Sequence, residues 1–317
     1  MKPDHLFGTA LLLAFVASPA NAQKFSDWSA PVNLGPVINF AQNNQHPAIS
    51  KDGLSLYYSA GPTNKLDIWV SQRAGLDDPW RPPQKLGPNV NSDSSDLSPN
   101  FTPDGHWMYF MSNRPGPCAN PANPVPTIDL YVTHRKDKRD DFGWEPAQNL
   151  GCVINGPYDD AGPTFFEDEN TGVTYLYFTS TRPGPTGCSC GNFDIYVSTL
   201  QADGTWGPAE FVQELSGPGR DTRTSISRDG LEMFLSSDTA FGAAVGSQDI
   251  WISTRATTAD KWSTPVNLGA LVNSTAFDGA PALSWDGTNL YFFSERTDVA
   301  HYGLRDLYVT TRIKLAD

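Results

Sequence analysis

Basic charge is scarce in this chain. Only 22 Lys and Arg stand against 35 Asp and Glu in 317 residues, a net charge of −13 with the five histidines neutral. A field of that sign repels phosphate backbones and anionic bilayers, which argues against nucleic acid or a membrane surface as partner. Long apolar runs are also missing: beyond the first 22 residues no stretch of about 18 apolar residues remains to cross a bilayer. Cysteine is limited to Cys118, Cys152, Cys188 and Cys190, with no Cys-x-x-Cys pair and no nearby histidine at zinc-ligand spacing. That counts against a thiol redox centre and a structural zinc site. No phosphate loop or dinucleotide fingerprint occurs, and the G-x-S-x-G string at 187–191, "GCSCG", falls in a Pro- and Gly-rich loop between strands instead of a strand-to-helix elbow, so a covalent serine hydrolase and nucleotide chemistry are disfavoured.

Residues 1–22 read as a secretory leader. Lys2 and His5 precede an apolar run from Leu6 to Val16, and Ala20-Asn21-Ala22 supplies the small residues of a cleavage site. Export to the periplasm or the medium would permit disulfides among the four cysteines, in any of three pairings. No lipid-attachment cysteine lies near the cleavage site. The mature chain, residues 23–317, is expected to be one soluble, monomeric domain.

Turn-formers and aromatics are abundant: 27 Gly and 26 Pro are interleaved with 9 Trp, 11 Tyr and 17 Phe. That mixture points to short strands and tight turns. Trp28, Trp80, Trp144, Trp206 and Trp262 each open a similar phrase, such as "WSAPVNLG" and "WEPAQNLG". Asp67, Asp129, Asp194, Asp249 and Asp306 each begin an Asp-Ile/Leu-aromatic run, and five aromatic runs such as "LYFTS" end in serine. Five ordered copies define a repeat architecture. Asp-Gly pairs at 52–53, 104–105, 229–230 and 286–287 mark a hairpin turn inside the unit; the third copy carries "EDENTG" (167–172) there instead. Each unit then holds four antiparallel strands a, b, c and d, the makings of a β-propeller blade. The first tryptophan phrase is a strand d with no preceding a, b and c, and the last unit stops after strand c. The fold expected is therefore all-β, a five-bladed propeller whose N-terminal strand completes the last blade.

The unit P-x-x-S-x-D-G-x-x-L-Y-F-x-S-x-R followed by D-I-Y resembles the WD40-like PD40 repeat of TolB-like propellers and of exported propellers fused to OmpA-type domains. The resemblance covers nearly all of residues 28–312. It implies periplasmic scaffolding or the binding of peptidoglycan or a protein partner, and related propellers include glycosidases and lyases. The chain departs from the OmpA-fused members by having no further domain before residue 317, which weakens a wall-anchoring role.

The d–a and b–c connections share one face, where the unlike loops and all four cysteines fall, so function is expected there. Three residues before the repeat's proline position stand Asn44, Asp96, Asp160, Asp221 and Asp278, a ring at the channel mouth. Three readings of the aspartates compete: acceptors for their own turns, a Ca²⁺ or Mg²⁺ site, or paired glycosidase carboxylates. His46 is a candidate acid/base and Arg223 a candidate clamp for a carboxylate, since both break the repeat. Arg114, Arg182 and Arg296, from "S-x-R", either meet an anionic ligand such as a uronate or pair with neighbouring carboxylates. Phe40, Tyr158, Phe277 and Tyr302 are candidates to stack on sugar rings or to cap the core. The leading expectation is a binding propeller for a saccharide, peptide or envelope protein, with no cofactor assigned. The alternative is a carbohydrate-active hydrolase or lyase using the channel-mouth aspartates, and a weaker third is a lactonase-like metal hydrolase.

Overall fold

The aspartate-opened runs and the aromatic runs of the repeat land in strands, the Asp-Gly pairs in the turns between them, and the tryptophans just before the outer strands. The computed structural model describes residues 24–118, 127–188, 190–238, 241–297 and 300–315; the leader read at 1–22 lies outside them. A short β1 (Val32–Asn33) precedes the first blade, which holds β2 (Asn43–Ile49), β3 (Ser55–Gly61), β4 (Asp67–Gln72) and β5 (Gln84–Lys85). Blade 2 holds β6 (Asp96–Phe101), β7 (Trp107–Ser112), β8 (Asp129–His134) and β9 (Gln148–Asn149). Blade 3 holds β10 (Asp160–Glu167), β11 (Thr174–Ser180), β12 (Asp194–Thr199) and β13 (Glu210–Phe211), and blade 4 holds β14 (Asp221–Ile226), β15 (Glu232–Ser237), β16 (Asp249–Thr254) and β17 (Val266–Asn267). The fifth blade comprises β18 (Asp278–Leu283), β19 (Asn289–Ser294) and β20 (Asp306–Thr311), and its fourth strand is β1. Val32 pairs with Val309 and Asn33 with Tyr308, antiparallel. The structure is thus the five-bladed β-propeller expected, closed by its N-terminal strand, which covers the outer edge of β20. Inner strands β2, β6, β10, β14 and β18 neighbour one another in a ring around the axis.

The aromatic second strand of each blade is apolar at consecutive positions because both of its faces are buried. In β3, Leu56 and Tyr58 face blade 5 while Tyr57 faces blade 2. In β7, Met108 and Phe110 face blade 1, and Tyr109 and Met111 face blade 3. Side chains of a strand alternate between faces, so an unbroken apolar run serves two interfaces at once. The core is correspondingly five clusters, one between each pair of adjacent blades.

The tryptophan markers have a partner the repeat reading did not pick out. Arg73, Arg135, Arg255 and Arg312 lie six residues after the aspartate that opens the third strand. Their guanidinium carbons sit 4.5, 4.4, 4.1 and 4.5 Å from the rings of Trp80, Trp144, Trp262 and Trp28. Each Nε also donates to the glycine carbonyl of its hairpin turn, Gly53, Gly105, Gly230 or Gly287, at 2.7–2.8 Å. One arginine therefore ties turn, third strand and outer tryptophan together through a charge-assisted hydrogen bond and a cation–π contact. Blade 3 carries Leu200 in place of the arginine and "EDENTG" in place of Asp-Gly, so both halves of the clasp are lost together. At the opposite end, Asn39, Asn91, Asn155 and Asn273 pair their side-chain amides with both backbone groups of Leu307, Ile68, Leu130 and Ile250, as an extra strand residue would.

The four arginines are not equal. Arg135 also donates to the buried Asp141 at 2.7 Å, whose carboxylate accepts from Ser55, Tyr57 and Gln72 of blade 1. Replacing Arg135 by leucine strands that carboxylate and is expected to cost about 3–5 kcal/mol. Arg255→Leu leaves no charge behind and should cost about 1–2 kcal/mol, the scale of a hydrogen bond plus a cation–π contact. Urea denaturation of the two variants measures the difference.

Candidate functional site

The predicted aspartate ring exists, but its carboxylates point back into their own blades. Asp96, Asp160, Asp221 and Asp278 are fully buried at the first position of their inner strands. Each Oδ2 accepts the backbone N–H four residues earlier, from Ser92, Gly156, Gly217 and Ser274, at 2.6–2.7 Å. Oδ1 of Asp160 and Asp278 accepts from Nη2 of Arg182 and Arg296 at 2.6 Å, and Arg114 donates to Asp96 in the same way. The same three guanidinium groups donate to the carbonyls of Val90, Ile154 and Val272 and lie over Tyr131, Tyr196 and Tyr308. The "S-x-R" arginines are thereby brought to the aspartates, one pair in each of blades 2, 3 and 5. Among the described residues no group of three or more His, Cys, Asp or Glu side chains is gathered so as to hold a metal ion.

Blades 1 and 4 depart from this pattern. Blade 1 has Asn44 for aspartate and Pro62 for arginine, so neither charge is present. Blade 4 keeps Asp221 but carries Thr239 at the arginine position. In both blades a tryptophan replaces the tyrosine, and Nε1 of Trp69 and Trp251 donates to the carbonyls of Ala60 and Ser237 at 3.2 and 3.1 Å. Asp221 Oδ1 is left buried without a hydrogen-bond partner among the described residues. Burial, with Asp194 and Asp238 nearby, pushes its carboxyl up to about 7.

Two residues further along, the inner strands share a different feature. Pairing in the first blade jumps from Gln45↔Ser59 to Ala48↔Tyr57, so His46 and Pro47 together face Tyr58. The same bulge occurs at Ser98, Gly162, Arg223 and Ala280. All five residues have φ between +52° and +58°, uncommon for four of them and strained. The repeat's proline is the second bulge residue, where no ladder bond is forfeited by its missing N–H. These five residues form the inner end of an axial cavity of about 130 Å³, whose wall runs along the strands to Lys51, Glu167, Arg228 and Trp285 at the hairpin turns. The cavity thus lies toward the face opposite the b–c loops, and none of the four aspartates lines it.

His46 and Arg223, singled out in the sequence because they break the repeat, are brought together at this inner end. Gly162 makes room for the arginine: a Cβ there would stand 2.8 Å from Arg223 Cδ. Burial lowers the Arg223 guanidinium to about 9, helped by Arg220 and Arg305, and burial with Arg223 and Arg305 holds His46 well below its ordinary value, neutral at pH 7. Arg223 Nη1, His46 Nδ1 and Thr224 Oγ1 are buried with no hydrogen-bond partner among the described residues. The remaining candidates lie elsewhere. Phe277 stacks on Phe293 at 5.2 Å, Tyr158 lies against Gly156, Phe40 meets Trp69 edge-on, and Tyr302 is half exposed beside the third strand of blade 5. Cys118 pairs with Cys152 across the blade 2–3 boundary, and Cys188 pairs with Cys190 within one loop.

No family model and no curated protein matches this sequence. Solved structures with a similar fold include a thermostable family-43 glycoside hydrolase, 13% identical, with 87% of this chain and 91% of that one covered at a TM-score of 0.58. An alpha-L-arabinofuranosidase from Podospora anserina, in complex with cellotriose, is 11% identical over 92% of this chain and 98% of its own at 0.53. TolB from Acinetobacter baumannii is 14% identical over 91% of this chain and 65% of its own at 0.47. At these identities the first two likenesses establish the five-bladed propeller fold and leave the activity to be argued from the site.

Asp221 gives this region a pH signature. Its carboxyl at about 7, against an ordinary value near 3.9 in the unfolded chain, means that the folded state keeps a proton the unfolded state has released. Stability should therefore fall as pH rises from about 4 to 7 and level off above. Asp221→Asn, which copies Asn44 of blade 1, should stabilise by roughly 2–4 kcal/mol at pH 8 and by nothing below pH 4. Denaturation midpoints across that range provide the check.

Proposed function

We propose that this chain is an exported, carbohydrate-active propeller that takes a saccharide into the axial cavity from the hairpin-turn face. The observation that carries the reading is the composition of the cavity wall. Phe101, Phe166 and Trp285 contribute aromatic surface, and Ser98, Asn100 and Thr224 contribute hydroxyl and amide groups. Such a mixture suits a sugar, whose CH faces pack on rings while its hydroxyls need hydrogen-bonding partners. Trp285 stands at the mouth, with Lys51 Nζ 4.3 Å from its ring centre. The fold neighbours named as glycoside hydrolases support the same ligand class, and the two disulfides support export.

Two forms of this function are open to the geometry. Hydrolysis is favoured by the names of the fold neighbours, although Asp221, with its carboxyl near 7, is fully buried off the cavity wall and does not reach a sugar held there. Holding without turnover is favoured by Asp96, Asp160 and Asp278, whose carboxylates are committed to arginines and turn amides.

Titration calorimetry and reducing-sugar release with xylo-, arabino- and cello-oligosaccharides and their acidic derivatives test the proposal. At least one series should bind saturably, and Trp285→Ala should weaken it about tenfold, roughly 1.4 kcal/mol. Reducing-sugar release from any series selects hydrolysis. Absence of both binding and turnover across the panel overturns the reading.

A further inference from the structure

We infer that the inner end of the axial cavity is a carboxylate site, anchored by the Arg223 guanidinium with His46 and Thr224 as its hydrogen-bonding walls, and that the saccharide proposed above is an acidic one. The second half of this inference rests on the saccharide reading; the first does not.

The argument starts from charge in the wrong place. In a chain of net charge −13, Arg223 lies on the propeller axis with no ion pair among the described residues, while the three arginines of the aspartate ring each have one. The nearby Arg305 is already bound to Glu295 at 2.8 Å and to Gln45 at 2.7 Å. Arg220 lies over the ring of Phe193 at 4.7 Å. At the mouth, Arg228 is paired with Glu169, and Lys51 and Glu167 both line the wall. The inner end therefore carries one guanidinium charge that no carboxylate among the described residues balances.

The unpartnered polar atoms point to the same ligand. Arg223 Nη1 is a donor, Thr224 Oγ1 can donate, and His46 Nδ1 can donate in one neutral tautomer. Leaving such groups unsatisfied costs about 1–3 kcal/mol each, more for a charged one. A planar carboxylate meets a guanidinium fork through two parallel hydrogen bonds, and a single negative charge matches a single unbalanced positive one. A phosphate dianion would need a second cation, and His46 is held neutral here. The backbone is also arranged around the arginine. Its φ of +54° is held by the bulge, its N–H donates to Thr179 Oγ1 of blade 3, and Gly162 stands where any side chain would collide with it.

Calorimetry with glucuronate, glucose, acetate and inorganic phosphate, on the wild type and on Arg223→Gly, tests this. Glycine is at home at positive φ, so the variant should fold with a thermal midpoint no lower than wild type. Glucuronate should bind at least tenfold more tightly than glucose to the wild type, and Arg223→Gly should remove that preference. Equal binding of glucuronate and glucose, or a preference that survives in Arg223→Gly, overturns the inference while leaving the saccharide reading intact. Phosphate binding more tightly than acetate overturns the assignment to carboxylate. Acetate binding that disappears in Arg223→Gly, with no sugar bound, supports the anchor and overturns the saccharide reading.

Discussion

In each inner strand two residues face one on the neighbouring strand, and the first of the two is held at positive φ. The rest of the site depends on this bulge. Regular alternation would send successive side chains to the two faces of the blade, into the interfaces between neighbours. The extra residue breaks that alternation once and turns the side chain at 46, 98, 223 or 280, and the bare Cα of Gly162, toward the axis. Strain of about 1–3 kcal/mol at each non-glycine bulge residue is tolerated because the flanking ladders and interblade bonds over-determine the backbone. Three of the bulge amides, at Ser98, Arg223 and Ala280, are pinned by a hydroxyl from the preceding blade.

Two clasps, one at each end of the blade, leave the axis free for other work. At one end a buried aspartate gathers its turn and an arginine; at the other an arginine gathers a hairpin turn and a tryptophan. Polar residues repeated around the ring are used within the blade, and those that occur once are the ones turned to the axis. The exceptions to the clasps are paired in the same spirit. Blade 1 lost aspartate and arginine together and stays neutral, and blade 3 lost arginine and the Asp-Gly turn together. Blade 4 lost only the arginine, and the cost appears as a carboxyl that holds its proton to about pH 7.

Much of this was legible in the sequence. The markers at Trp28, Asp67 and "LYYS" and their equivalents specified five four-stranded blades, and the complementary termini specified closure, because each marker has a fixed strand position. The acceptor role of Asp96, Asp160 and Asp278 was one of three readings, and its decisive partner, the "S-x-R" arginine, was already visible as a repeated residue. The Arg73, Arg135, Arg255 and Arg312 clasp was overlooked although its spacing from the strand-opening aspartate is constant, since a lone basic residue after a strand carries no local signature. The bulge was hidden as well: a residue before proline ordinarily prefers extended backbone, so nothing local announced positive φ at His46 or Ala280. For that reason the sequence pointed to the face with the cysteine loops, whereas the cavity wall runs toward the hairpin turns.

The central claim is that the Arg223 guanidinium on the axis, unpaired among the described residues, and not the aspartate ring, is where a ligand is held. A crystal structure of the protein with glucuronate bound tests it most directly. The account predicts the carboxylate in a two-point contact with Arg223 and within hydrogen-bond reach of His46, with the sugar extending toward Trp285. A ligand seated among Asp96, Asp160, Asp221 and Asp278 on the cysteine-loop face, with Arg223 uncontacted, would contradict it.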